Sequence, residues 1–267
     1  MIISYNQGGL CNRIKSWVSC QRYAIEKNTS YKVIWKVLNN YKTNQHILNC
    51  KFSDLFQNDC EFKYRPKEEI TRYNLPDFII FDSDQLPHNF SQFKSNCKKE
   101  FEPKDIFKRN IDFEYLRIPD NVIQNYLPFF QNIRLIPKLE HKINNFSQNF
   151  NSDTVSLHIR SWNLPNEQGR QSLLKLEKIK SKLRSLNKKQ VFLVTDNKEL
   201  IQEFTEFNII TFPRESKIDR NSTLSLQEDL IELYLLSKNK TMILSHFSSF
   251  SEVAWWLGGC SRDVTII

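Results

Sequence analysis

No run of apolar residues in this sequence approaches the roughly 18 that a membrane-spanning helix requires. The first residues also lack a charged segment followed by an apolar core, so they do not read as a secretory leader. Met1-Ile2-Ile3-Ser4-Tyr5 reads instead as a first β-strand, and the expectation is a cytosolic protein or one trimmed of a targeting segment. The six cysteines form no C-x-x-C pair and no metal-type spacing, which leaves buried or half-buried thiols as their expected state. Also missing are a Walker loop, a G-x-G-x-x-G turn and any zinc-finger, basic-zipper or RNP-type motif. No internal repeat shows at a period of about 20–50 residues. The N-x-S/T triplets, such as Asn221-Ser222-Thr223, are what chance provides in a chain rich in Asn, Ser and Thr.

What is present is ordinary for a globular protein: 267 residues, 40% hydrophobic and 25% charged. That length allows one large domain or two of roughly 120–140 residues. A net charge of +8 and a pI near 9.1 raise the question of nucleic acid. The Lys and Arg residues are spread along the chain, however, and form no arm. Their densest stretch, 170–189, carries Leu173, Leu176, Ile179, Leu183 and Leu186 at helical spacing, so its lysines are the solvated back of a packed helix. No nucleic-acid partner is expected. A positive field would favour anionic donors or acceptors, or peripheral contact with a membrane if the acceptor is lipid-linked.

The order of elements points to an α/β fold. After the first strand, Gln7-Gly8-Gly9-Leu10-Cys11-Asn12-Arg13-Ile14 leads into a helix to about Lys27, and Tyr31–Leu38 gives a second strand with Val33, Trp35 and Val37 alternating. From about 39 to 119 the pattern loosens into a decorated half-domain carrying loops over a cleft, with strand candidates at Cys60–Tyr64 and Phe78–Phe81. Residues 121–150 read as largely helical, with Val122, Tyr126, Phe129, Phe130 and Ile133 as candidate core positions and Pro128 and Pro137 as breaks. The Asn/Ser-rich QNFNSD then marks a domain boundary, giving domains 1–150 and 151–267. The second domain reads as strands at 154–160, 190–195, 209–212, 241–244 and 264–267, with helices at 170–189, 198–206, 224–237 and 249–257 between them. That alternation predicts a doubly wound parallel sheet.

Several polar residues fall at carboxyl ends of the predicted strands, where open α/β sheets bind ligands. His158 and Arg160 flank Ile159, so they share one side of their strand. A guanidinium there suits a diphosphate, because its planar fork can grip two phosphoryl oxygens and keeps its charge. The competing explanation is an Arg paired with a carboxylate. Likewise Gly8-Gly9 can be only a turn, while Asp196 and the pair Ser248-Ser249 can be only helix caps. Their joint placement at strand ends is what favours a site.

The wording of these stretches also resembles a family. GGLCNRI, VSLHIR, FLVTD and EDLIELYLLSKNKTMILSHFSSFSEVAWW, in that order, resemble the fucosyltransferase superfamily, which includes bacterial nodulation α-1,6-, protein O- and α-1,2-fucosyltransferases. The resemblance implies a GT-B architecture, two Rossmann-like doubly wound domains facing a cleft, and inverting transfer of fucose from GDP-fucose without a metal or other cofactor. It implies that Arg160 holds the donor diphosphate, His158 lines the nucleotide site and Asp196 reads guanine. Ser248 and Ser249 would meet a phosphate, and Gly8, Gly9, Asn12 and Arg13 would reach the donor from the first domain. Asp229 matches a family acidic residue taken as mainly structural. The chain departs from the pattern after H-x-R, where a second Arg and an acidic residue are common and Ser161, Trp162 and Asn163 stand here. Asn12-Arg13 is closer to the α-1,6 pattern than to the Gly-Asn-Gln of the α-1,2 group. Linkage and acceptor, a glycan or other hydroxyl compound, stay open.

A sugar–nucleotide bond breaks with negative charge growing on the β-phosphate, which needs a divalent ion or fixed cations and N–H dipoles. The second half holds no Asp-x-Asp triplet. Asp82-Ser83-Asp84 has that spelling but follows a strand of the first half. For the base that activates the acceptor hydroxyl, the candidate is Glu167, which can equally be a carboxylate drawn to a helix N-terminus. The competing functions are a transferase of the same fold using another nucleotide sugar, and a basic module that binds polyanions.

Overall fold

A computed structural model describes residues 1–5, 8–37, 48–62, 79–81, 120–161, 171–187, 190–246 and 248–267. Glu167, Asp82, Asp84 and Cys97 lie outside the described residues. The chain divides into two compact units, one built from the described residues up to Ile136 together with Asp219–Gln227, the other from Pro137–Ile218 and Glu228–Ile267.

In the first unit, β1 (Ile2–Tyr5), helix α1 (Leu10–Glu26) and β2 (Tyr31–Ile34) form the expected βαβ, and β3 (Ile79–Phe81) joins the other side of β1. The sheet is parallel in the order β2-β1-β3. Leu10, Ile14, Trp17 and Val18 repeat at helical spacing and are all buried. Trp17 meets an aromatic cluster centred on Phe52, whose ring stands edge-on to Trp17 at 5.3 Å and Trp35 at 5.6 Å and tilts against Phe56 at 5.1 Å. Such edge-to-face pairs stabilise by about 0.5–1.5 kcal/mol each beyond their buried area. Helix α2 (Asp120–Gln131) completes the described part of the unit.

The second unit holds helix α3 (Pro137–Ser147), β4 (Thr154–Ile159), α4 (Leu176–Leu186), β5 (Gln190–Thr195), β6 (Ile209–Ile210), α5 (Thr223–Leu236, of which residues from Glu228 belong here), β7 (Met242–Leu244), α6 (Ser249–Leu257) and β8 (Val264–Ile266). Its five strands are parallel in the order β6-β5-β4-β7-β8. The chain winds outward from β4 through β6, then returns to add β7 and β8 on the other side. All six residues of β4 are buried, as a central strand covered on both faces requires. Among the described residues no helix is long and apolar enough to cross a membrane. The five described cysteines, Cys11, Cys20, Cys50, Cys60 and Cys260, are all buried thiols.

Several boundaries differ from the sequence reading, each for a local reason. The second unit begins at 137, not 151, because Phe146 of α3 packs on Phe192 of β5 and on Phe212. The described pairing of β2 with β1 runs from Tyr31 to Ile34, and beyond it Lys36 O accepts from Arg13 Nη1 at 2.6 Å, while Leu38 lies outside the described residues. Pro128 lies inside α2 instead of ending it, since Tyr126 and Phe130 are buried on either side of it and hold the helix in place. The segment Lys198–Phe204 is a 3₁₀ helix rather than an α-helix. At 60–64 the described pairing is a single bridge, Val33 with Glu61.

Phe52 is 2% exposed and touches three other aromatic rings. Phe52→Ala is expected to cost about 3–5 kcal/mol, the usual range for emptying an aromatic site in a core. Urea titration followed by tryptophan fluorescence measures this, and a loss below about 1 kcal/mol would show that the cluster is not a core.

Candidate functional site

The winding of the second unit reverses between β4 and β7, so their carboxyl ends form the switch point of the sheet. The β4–β7 ladder stops at Leu157 with Ile243, whereas β4 stays in register with β5 as far as Ile159 with Thr195. Ser245, the first residue after β7, closes the gap. Its hydroxyl donates to His158 O at 3.0 Å and accepts from the Arg160 backbone N–H at 2.8 Å. On the β5 side, Asp196 accepts from Arg160 Nη1 through one oxygen and from the Ser161 N–H through the other at 2.7 Å. Asn197, not Asp196, caps the helical turn after β5, accepting from the Glu199 N–H at 3.0 Å. That leaves Asp196 for Arg160.

His158 lies beneath this pair, 5% exposed, with its ring 5.0 Å from that of Phe250. Burial pushes its pKa from 6.5 down to about 4, with the Asp196 charge opposing the shift and that of Arg160 adding to it. Its Nδ1 is 2.6 Å from Ser251 Oγ on α6. Ser248 caps α6 by accepting from the Ser251 N–H at 3.4 Å, and Ser249 opens the helix. The structure thus gathers His158, Arg160, Asp196, Ser248 and Ser249 at one edge of one sheet. Both explanations of Arg160 hold together, since it stands at the ligand edge and pairs with a carboxylate. Each Asp196 oxygen accepts one of these bonds and keeps a second lone pair.

The first unit presents Gly8, Gly9, Asn12 and Arg13 where β1 gives way to α1. Gly9 has φ −67°, which any residue can adopt, so its glycine is not required by the backbone. Its use is space. A Cβ there would lie 3.3 Å from Nη1 of Arg220, which belongs to the same unit. Arg220 is held with a left-handed φ of 58° by its N–H to Ser225 Oγ at 3.3 Å and its carbonyl to the Asn49 N–H at 3.4 Å. Asn12 is half-buried in the first turn of α1. Arg13 turns inward, donating to Gly8 O at 2.9 Å with its guanidinium 5.1 Å above the Trp35 ring. It shapes the turn from behind.

Sequence reasoning missed Ser245, Ser251 and Arg220. Each is an ordinary residue until the topology sets it against a strand end, and no spacing rule would have singled it out.

Neither a protein-family model nor a curated protein matches the sequence. Solved structures do. The fucosyltransferase NodZ from Bradyrhizobium is 17% identical, with a TM-score of 0.53 over 95% of this chain and 92% of that one. POFUT1 in complex with GDP-fucose is 12% identical, with a TM-score of 0.52 over 100% and 97% of the two chains. A variant of Arabidopsis thaliana FUT1 in complex with GDP is 16% identical, with a TM-score of 0.54 over 99% of this chain and 69% of that one. The chain has a fucosyltransferase-like fold.

Within that fold Asp229 belongs to a buried charge cluster. Arg214, with a side chain 3% exposed, places Nη1 at 2.8 Å from Asp229 and 2.6 Å from Glu232, and Nε at 3.6 Å from Glu228. Burial would raise the Glu228 pKa, but hydrogen bonds from Ser216 Oγ and the Glu215 and Ser216 N–H groups outweigh it and hold the carboxyl below its usual range. Burial pushes Glu232 from 4.5 up to about 7 against the pull of Arg214, with Asp229 adding to the rise. The unfolded chain therefore loses this proton at lower pH than the folded one. The contribution is fully present below pH 4.5 and is lost as pH rises to about 7. Glu232→Gln keeps an oxygen for Arg214 and has no proton to lose. It should gain stability relative to wild type at pH 8 compared with pH 5, as measured by urea unfolding at both values. An equal difference at the two would show that Glu232 stays ionised.

Proposed function

We propose that this protein is a fucosyltransferase that transfers fucose from GDP-fucose to a hydroxyl of a glycan or similar acceptor. The observation that carries the reading is the Arg160 guanidinium at the switch point of a fucosyltransferase-like fold, oriented by Asp196. The donor class follows from the neighbours solved with GDP and GDP-fucose. In this reading the enzyme is of GT-B type, inverting and metal-independent. Arg160 takes the charge that grows on the β-phosphate as the sugar leaves, and the N-terminus of α6 with Ser248 and Ser249 adds N–H and hydroxyl donors. Gly8, Gly9 and Asn12 contribute from the first unit, with Arg13 as the support of their turn. Asp196 orients Arg160 and fixes the Ser161 backbone, and its remaining acceptor capacity reads the N–H donors of guanine. Glu167 is the candidate base for the acceptor hydroxyl.

The test is donor-side, since slow hydrolysis of GDP-fucose to GDP and fucose can be followed without knowing the acceptor. Turnover should be greatest with GDP-fucose in a panel of nucleotide sugars, and preference for another sugar would reassign the donor. Calorimetry should show GDP bound at least about tenfold more tightly than ADP or UDP, about 1.4 kcal/mol. Arg160→Ala should lower the rate by roughly 10²–10³-fold, typical for deleting one preorganised donor to a developing charge. Arg160→Lys should also be poor, since a point charge cannot reproduce a two-pronged contact. A folded alanine variant with near-normal kcat would remove Arg160 from the mechanism. Activity should survive EDTA. Loss with chelator, restored by one specific metal, would bring Asp82 and Asp84 back as ligands.

A further inference from the structure

The hydroxyl behind His158 decides which ring nitrogen carries the proton. Ser251 Oγ lies 2.6 Å from His158 Nδ1 and accepts from the Ser245 backbone N–H at 3.2 Å. Ser251 is 0% exposed. Among the described residues the one acceptor within reach of its O–H is Nδ1 itself. If Nδ1 carried a proton, the Ser251 oxygen would accept twice and its own hydrogen would be buried with no acceptor, at a cost of about 1–3 kcal/mol. The reverse arrangement satisfies every group in the chain: the Ser245 N–H gives to Ser251, and Ser251 gives to Nδ1.

We infer that Ser251 is a positioning residue that holds His158 as the neutral tautomer with its proton on Nε2. The ring is neutral at pH 7 for the reason already given, its burial. It therefore offers one uncharged N–H donor and no acceptor at Nε2. On the proposed function, on which this part rests, that donor suits an oxygen acceptor of the nucleotide sugar, and His158 is ruled out as the base that takes the acceptor proton. A base needs a bare nitrogen facing the hydroxyl. Ser245 serves twice, its hydroxyl tying the β4 end to β7 and its N–H setting the direction of the chain that ends at the ring.

The tautomer can be read directly, without substrate, from long-range ¹H–¹⁵N correlations of histidine-labelled protein at pH 7. The sequence has five histidines, so the His158 signal is assigned as the one missing from His158→Gln. The expected result is a pyridine-type shift at Nδ1 and a pyrrole-type shift at Nε2. The opposite pattern in the wild type overturns the inference, whatever the variants do. Ser251→Ala, which removes the donor, should move the Nδ1 shift toward that of a pyridine-type nitrogen without a hydrogen bond, and Ser251→Thr should restore the wild-type shift. An unchanged ring in a folded alanine variant also overturns it. Donor hydrolysis by Ser251→Ala should fall up to about tenfold, the scale of one neutral hydrogen bond, with recovery in Ser251→Thr. If the protein proves inactive on GDP-fucose, the proposed function fails while the tautomer measurement still stands or falls alone.

Discussion

A single hydroxyl does the joining where β4 and β7 part. A parallel sheet whose winding reverses must let two neighbouring carboxyl ends diverge, and each divergence leaves backbone groups without ladder partners. Here the exposed pair is His158 O and Arg160 N–H, and Ser245 Oγ serves both. Everything chemical in the second unit hangs from that bridge. It fixes where the backbone of β4 ends, so Arg160 emerges beside Asp196, and it leaves the Ser245 N–H aimed at Ser251 and hence at the imidazole.

The chain also uses arginine in two opposed ways. Arg160 is part-buried and pairs with Asp196 at the ligand edge of the sheet. Arg214 is almost sealed and faces three carboxyls, an arrangement that anchors the 213–218 stretch to α5 and presents nothing outward. Burial separates the two where residue type does not.

Much of this was legible in the sequence because it follows from periodicity. The alternation of apolar runs with helical stretches in the second half gave a parallel sheet, and β4, β5 and α6 fell close to their expected bounds. The strand-end residues His158, Arg160, Asp196 and Ser248 were visible because carboxyl ends are visible. Their mutual contacts were not. The Arg160–Asp196 pair needs the β4–β5 register, and Ser245 needs the point where the β4–β7 ladder stops. Arg220 lies far along the chain from Gly9, so only the fold could bring it there. Helix type was misjudged at 198–204, where Asn197 signals a start but the short segment closes as 3₁₀. The limit of the second unit was misplaced because a polar stretch looks like a linker, although Phe146 upstream of it already packs on the second sheet.

The buried thiols give the protein a built-in clock. Burial pushes Cys60 up to about 12 and raises Cys20 and Cys260 as well, so none of these three presents a reactive thiolate while its surroundings stay closed. A thiol reagent in solution would therefore act only on locally opened molecules, and at reagent concentrations high enough for modification to outpace reclosing it would be consumed at the rate of opening. Cys260 is the one described thiol of the second unit, while Cys11, Cys20, Cys50 and Cys60 sit in the first. Once Cys97 is replaced, mass spectrometry of the modified chain would time the breathing of the two units separately, with no label added to either.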